Sequence, residues 1–112
     1  MMRRISWVGS SLKDLQRFPA AVQGQITFAL EIAAKGEAAE TVKAMKGLGA
    51  GVFEIAIRYR ENAYRAVYAA RLGPDIYVLH AFQKKSKTGI KTPQREIDLV
   101  KGRLKRLKER LR

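Results

Sequence analysis

The sequence of 112 residues contains no cysteine and a single histidine, His80. The lack of cysteine excludes disulfides and thiolate metal sites, and it fits a reducing compartment. With only one histidine as well, we expect no zinc site, no other metal and no cofactor. No apolar run approaches the ~20 residues that cross a bilayer. The first residues are cationic without the apolar segment of a signal peptide. We therefore expect a cytoplasmic protein without membrane contact.

Acidic residues are also scarce: 10 Asp and Glu stand against 23 Lys and Arg, which gives a net charge of +13. From Lys84 to Arg112 there are 12 cations and 3 anions, so +9 of this excess lies in the last quarter of the chain. Clustered cations favour binding to nucleic acid or to an acidic protein, because neutralising phosphates releases counterions. The alternative is a basic face that is merely solvated.

The length predicts one domain over residues 1–112, and 46% hydrophobic with 29% charged residues is an ordinary globular composition. The alternation over Arg4 to Val8 predicts a strand, and Ser10 and Ser11 are N-cap candidates for a helix. After Pro19, apolar spacing near 3.6 predicts a second helix from Ala20 to Lys35. We expect residues 37–42 to form a turn or a short helical extension.

Three strands are predicted in close order, over Val52–Arg58, Tyr64–Arg71 and Ile76–Phe82. The short connections, around Arg60-Glu61-Asn62 and Gly73-Pro74-Asp75, indicate hairpins and hence an antiparallel meander. The predicted fold is α+β. It has a small, mainly antiparallel sheet of about four strands, two N-terminal helices on one face and a C-terminal helix.

The basic C-terminal helix is expected over residues 92–112, with Thr92 as N-cap and Pro93 as its first residue. Its apolar residues recur every three or four positions, as a helix packed on the open face of the sheet requires; they are Ile97, Val100, Leu104, Leu107 and Leu111. A helix that instead grips a partner chain is the less favoured alternative.

The segment Lys43 to Gly51 (KAMKGLGAG) is punctuated by glycine. A loop that cradles phosphate is conceivable, because glycines let backbone N–H groups approach a ligand. The spacing matches neither the P-loop nor the dinucleotide fingerprint. We favour a flexible segment that leads into the next strand.

The element order and three blocks of sequence resemble the RelE/HigB-like toxins of bacterial type II toxin–antitoxin systems, and in particular their phage-derived HigB-like branch. The blocks are Glu54-Ile55-x-Ile57, then Tyr64-Arg65-Ala66-Val67-Tyr68, then Val78 to Lys85, which continues into Lys87-Thr88, Lys91-Thr92-Pro93 and Glu96-Ile97. The resemblance implies a RelE-like fold and an endoribonuclease that cuts mRNA in the ribosomal A site. It also implies inhibition by a cognate antitoxin, which we expect to be acidic and to carry a helix-turn-helix DNA-binding domain.

RNA cleavage by attack of the 2′-OH needs a base, an acid and cations that stabilise the phosphorane. Two histidines are not available, and Glu54 and Glu61 have no evident acidic partner. A metal-free site of Lys and Arg remains, in which dense positive charge lowers a lysine pKa.

The resemblance assigns Arg65 to the scissile phosphate, and Lys84 or Lys85 to proton transfer or a further phosphate contact. Lys46, Arg58, Lys87 and Lys91 would bind the RNA backbone. We expect Arg65 and Lys84 to be surface cations on a preformed sheet. Two alternatives stay open: Arg65 forms a salt bridge with Glu54, and His80 is a core residue, which we favour over a catalytic acid.

Two other functions compete with the nuclease. A ParE-like protein of the same fold poisons DNA gyrase and needs no catalytic residues. A non-enzymatic module that binds RNA or the ribosome needs only the basic surface.

Overall fold

The structure, a computed structural model, describes residues 2–84 and 91–112. Within these residues the chain forms five strands and three helices. The strands are β1 (Ile5–Trp7), β2 (Val42–Ala44), β3 (Val52–Tyr59), β4 (Asn62–Ala69) and β5 (Ile76–Lys84), and the helices are α1 (Ser11–Leu15), α2 (Ala20–Ala34) and α3 (Gln94–Arg110). They make one sheet in the order β1-β5-β4-β3-β2. The predicted α+β class and the three helices are confirmed.

The antiparallel meander β3-β4-β5 is also as predicted. Arg60 and Glu61 form the first turn with φ angles of 49° and 67°, as a tight two-residue hairpin requires. β1 is the exception to the antiparallel pattern, because it pairs in parallel with β5 at the sheet edge.

The interpretation of residues 37–42 as a turn or helical extension is wrong in part, because Val42 begins β2. This strand pairs with β3 and makes the sheet five-stranded rather than four-stranded. β2 has only three residues, so no alternation was long enough to reveal it.

Each face of the sheet carries its own apolar core. On one face α2 packs on alternate residues of β3 and β4, including Ile55, Ile57 and Ala66. On the other face α3 packs on Val52, Val67 and Leu79 through its own Val100, Leu104 and Leu107. The apolar stripe of α3 is therefore sheet core, as we favoured, except that Leu111 at its end is 39% exposed. Burying each such side chain contributes roughly 1.5–3 kcal/mol.

A β-bulge in β5 sets which residues reach the α3 face. The register pairs Val67 with His80 but Tyr68 with Val78, so Leu79 has no counterpart on β4. The extra residue lets Leu79 and His80 both point toward α3, where a regular strand would alternate them.

Candidate nucleic-acid site

Strand register places charged residues from four strands on the α3 face of the sheet. One cross-strand row runs Lys43, Glu54, Val67 and His80. The next row contains Ala56, Arg65 and Phe82, and the third contains Arg58, Ala63 and Lys84. Because residues two apart on a strand share a face, Glu54, Arg65 and Lys84 are neighbours on one surface.

Arg65 and Glu54 form a buried ion pair. The Arg65 Nη1 atom donates to Glu54 Oε1 at 2.9 Å, and the two residues are only 7% and 2% exposed. The second carboxylate oxygen of Glu54, Oε2, accepts a hydrogen bond of 2.6 Å from the Thr92 hydroxyl. The salt bridge that we held open as an alternative is present. Glu54 thus joins β4 to the segment before α3.

The ion pair leaves part of the Arg65 guanidinium unsatisfied. Its Nε atom is buried and has no hydrogen-bond partner within residues 2–84 and 91–112. A buried donor without a partner is costly, typically about 1–3 kcal/mol.

Lys84 is the last residue of β5 and is buried, with 5% exposure. Burial lowers its pKa below the ordinary value of 10.5; the Arg65 charge and, more weakly, that of Lys43 lower it further, and Glu54 opposes them. A lysine with a lowered pKa is a better proton acceptor near neutral pH. The expectation that Arg65 and Lys84 are surface cations is wrong, because the two residues are only 7% and 5% exposed.

His80 connects β5 to α3. Its Nε2 atom lies 3.0 Å from Glu96 Oε1, and its ring stacks on Phe82 with centroids 5.0 Å apart. The residue is 5% exposed, and Nδ1 has no partner among the described residues. This arrangement agrees with the core position that we favoured over a catalytic acid.

The predicted RNA-binding residues are distributed more widely. Arg58 is exposed and shares a row with Lys84, and exposed Lys91 directly precedes Thr92. Lys46 is exposed in the loop before β3, away from the three rows. Lys85 and Lys87 lie outside the described residues.

Sequence reasoning missed Lys43, Thr92 and Glu96 as parts of this site. Lys43 was missed because β2 was not predicted, and Thr92 was assigned as the α3 N-cap. That position belongs to Pro93, and Gln94 is the first helical residue. Glu54 could have been identified as part of the site, because the predicted hairpin places it diagonally opposite Arg65. We considered a Glu54–Arg65 salt bridge only as an alternative to a catalytic role of Arg65.

The arrangement is suited to binding phosphate. Two buried cations, Arg65 and Lys84, are flanked by exposed Arg58 and Lys43, with Glu54 as the one carboxylate in the three rows. In the described part of the chain, no group of three or more His, Asp and Glu residues could hold a metal ion. No helix there is both long and apolar enough for a membrane span.

Comparison with known proteins identifies the family. Residues 13–105 match the model of the family described as phage-derived protein Gp49-like (DUF891). Among solved structures, a double mutant of the E. coli toxin RelE in its free state matches with a TM-score of 0.65. That match has 16% sequence identity and covers 96% of this chain and 99% of the other. No curated protein matches significantly. The fold is thus RelE-like, and since the family model spans most of the sequence, the chain belongs to the Gp49-like family of phage-derived proteins.

Proposed function

We propose that this protein is the toxin of a type II toxin–antitoxin system, of the HigB-like branch, and that it is a metal-independent endoribonuclease. Its substrate is mRNA on the translating ribosome, and cleavage inhibits translation and growth in the cytoplasm. The observation that carries the proposal is that two buried cations, Arg65 and Lys84, lie in adjacent cross-strand rows on the same face of the sheet. The RelE-like fold and the family membership support it.

In the proposed reaction the 2′-oxygen attacks the adjacent phosphorus, and the bond from phosphorus to the 5′-oxygen breaks. The proton of the 2′-OH passes to a base, and the departing 5′-oxygen receives a proton from an acid. Neutral Lys84 serves as the base, favoured by its lowered pKa. Arg65 stabilises the charge that develops on the non-bridging oxygens. Lys85 stays a candidate for the second proton transfer.

Glu54 has a positioning role in this scheme. Its hydrogen bonds with Arg65 and Thr92 fix the guanidinium on β4 before substrate arrives. A preorganised cation does not have to be reoriented during the reaction, which is how fixed charges lower a barrier. Arg58, Lys46, Lys87 and Lys91 bind the flanking RNA backbone in this proposal.

The partner that we infer is an acidic antitoxin with a helix-turn-helix DNA-binding domain. The charge of +13 supports an acidic partner, since exposed cations dominate the chain. Its acidic segment would cover the α3 face near Arg58 and Lys43.

One observation favours a non-enzymatic RNA-binding module instead. Arg65 already has a carboxylate partner, so the pair is consistent with a purely structural role. That function predicts salt-dependent RNA binding without cleavage.

The decisive experiment induces the chain briefly in a bacterial host and maps the 5′ ends of a reporter message by primer extension. The reporter is used with and without its start codon, and Arg65→Ala and Lys84→Ala are run beside the control Lys35→Ala, an exposed lysine after α2. Cuts confined to the translated message, absent in both site variants, are expected. Arrested growth with intact message would favour a gyrase poison, and normal growth with intact message would favour a binding module.

A further inference from the structure

A second cationic surface lies apart from the three rows, where the glycine-rich loop before β3 meets α3. An open cleft of about 360 Å³ lies between the loop and the helix. We call it the lysine cleft; it is lined by Gly47, Leu48 and Gly49 of the loop and by Lys101, Lys105 and Lys108 of α3.

The three lysines form one stripe of the helix. They stand at positions i, i+4 and i+7, which share a helix face over ~10 Å of axis. All three are exposed, and within the described residues none makes an ion pair or a side-chain hydrogen bond. Among the residues that the structure describes, no carboxylate lines the cleft. Three like charges so close together repel one another, and a bound polyanion would relieve that repulsion.

The other side of α3 shows a different arrangement. There Arg103 donates to the Leu79 carbonyl at 2.8 Å and to the Ser10 hydroxyl at 3.0 Å. The neighbouring cleft also contains the carboxylate of Glu109. Arg103 is thus held by hydrogen bonds within the fold and Glu109 offsets part of the charge of that side, whereas the lysine cleft has neither feature.

The loop presents backbone rather than side chains. Gly47 and Gly49 have φ angles of 82° and 90°, and a Cβ atom at either position would meet no described atom within 4 Å. Between them Leu48 is buried with 6% exposure in the core that contains Leu104. Leu48 therefore anchors the loop against α3, while its glycines leave open space in which a phosphate can approach the main chain.

We propose that the lysine cleft binds the phosphate backbone of single-stranded RNA, outside the site of cleavage. The choice of RNA as ligand rests on the proposed function. The lining supports backbone binding over protein binding, because Leu48 and Leu104, which also lines the cleft, are buried and offer a peptide little apolar surface. Exposed Lys43, in the Glu54 row, and exposed Lys46 lie on the segment of chain that leads into the loop.

The test measures the salt dependence of binding to a short fluorescent 2′-O-methyl oligonucleotide, which lacks the nucleophile and is not cut. Each phosphate contact on a single strand contributes about 0.7 to the slope of log K against log salt, between about 50 and 200 mM. The full chain with Lys101→Gln, Lys105→Gln and Lys108→Gln should lose about 2 from that slope. The matched control is Lys13→Gln, Arg17→Gln and Lys35→Gln, which removes the same charge from exposed positions near α1 and α2.

A loss from the slope in the cleft variant that is at least twice the loss in the control supports the proposal. Equal losses would overturn it, since net charge alone would then explain binding, and so would absence of binding by the unmodified chain. Tighter binding of poly-glutamate of the same length, lost in the cleft variant, would assign the cleft to an acidic protein instead. Circular dichroism of both variants checks folding, and Gln is close to Lys in helix propensity.

This outcome is independent of the cleavage assay. If the chain binds through the cleft but cuts no message, the nuclease proposal fails and the cleft stands. If it cuts in an Arg65-dependent way with an unchanged salt slope, the cleft fails and the nuclease stands.

Discussion

Arg65 and Glu54 reach each other diagonally across two neighbouring strands. The register sets Arg65 opposite Ala56 and Glu54 opposite Val67, yet Nη1 and Oε1 lie 2.9 Å apart. Ala56 has a small side chain beside both residues, which leaves the space that the guanidinium crosses. The buried charge of Arg65 is therefore stabilised by the neighbouring carboxylate of Glu54.

Removing Glu54 should destabilise the protein more than removing the whole pair. Glu54→Ala leaves a buried, uncompensated guanidinium and should lower the free energy of unfolding by about 3 kcal/mol. Arg65→Met in the same chain removes that charge and should recover part of the loss. Urea unfolding of the two single variants and the double variant measures the coupling. Strictly additive effects would mean that the two charges do not interact.

Lys84 should make both activity and stability depend on pH. Because the neutral amine is the proposed base, the cleavage rate should rise with pH through the lowered pKa and then level off. Lys84→Met should reduce cleavage by at least about 100-fold, the usual contribution of a general base. A flat pH profile from neutral pH to pH 10 would remove Lys84 from that role.

The stability of the same two proteins gives an independent check. A folded-state pKa below 10.5 means that the unfolded chain binds the proton more tightly. The cost of burying a charged Lys84 is therefore full below the folded-state pKa and is relieved as pH rises toward 10.5. Relative to Lys84→Met, the unmodified chain should gain stability over that window. A difference that stays constant with pH would contradict the lowered pKa.

The His80–Glu96 contact should contribute to docking of α3 rather than to chemistry. Glu96→Ala leaves His80 Nε2 without its partner and should cost about 1–3 kcal/mol in urea unfolding. Amide exchange in the first turn of α3 should accelerate. Cleavage by folded His80→Gln should stay within about threefold of the unmodified chain, since Gln removes the imidazole and its stacking on Phe82 but keeps a polar side chain of similar size. A loss near the 100-fold scale of acid catalysis would make His80 a catalytic acid.

Leu104 belongs to the core beneath α3, whereas Leu111 lies at the surface near the end of the helix. Leu104 is 5% exposed and Leu111 is 39% exposed, although both fit the same apolar spacing. Leu104→Ala should cost about 2–5 kcal/mol, whereas Leu111→Ala should stay within about 0.5 kcal/mol. Truncation after Gly102 removes Leu104 and Leu107 together and should prevent stable folding. Equal effects of the two substitutions would show that the stripe is not packed as described.

The meander, α2 and α3 were predictable because their apolar residues recur regularly, at helical spacing over at least two turns or in alternation along a strand. β2 was not, because three residues carry no period, and Lys43 was lost with it. The bulge at Leu79 could not be predicted either. A strand covered on both faces is apolar at every position, so its sequence does not show where an extra residue is inserted. The candidate cations Arg65 and Lys84 came from a family resemblance, but their burial depends on tertiary packing, which composition does not encode.

The parallel pairing of β1 with β5 affects the order in which this chain is made and folded. Ile5 lies beside Ile76, and Arg3 donates to the carbonyls of Gly73, Pro74 and Asp75. During synthesis β1 can therefore pair only after β5, the last described strand, has been made, and contacts so distant in sequence form slowly. Lys84 ends that late strand, so the cationic face is completed only after most of the polypeptide has left the ribosome. A translation product that stops before β5 therefore lacks both the partner strand of β1 and Lys84.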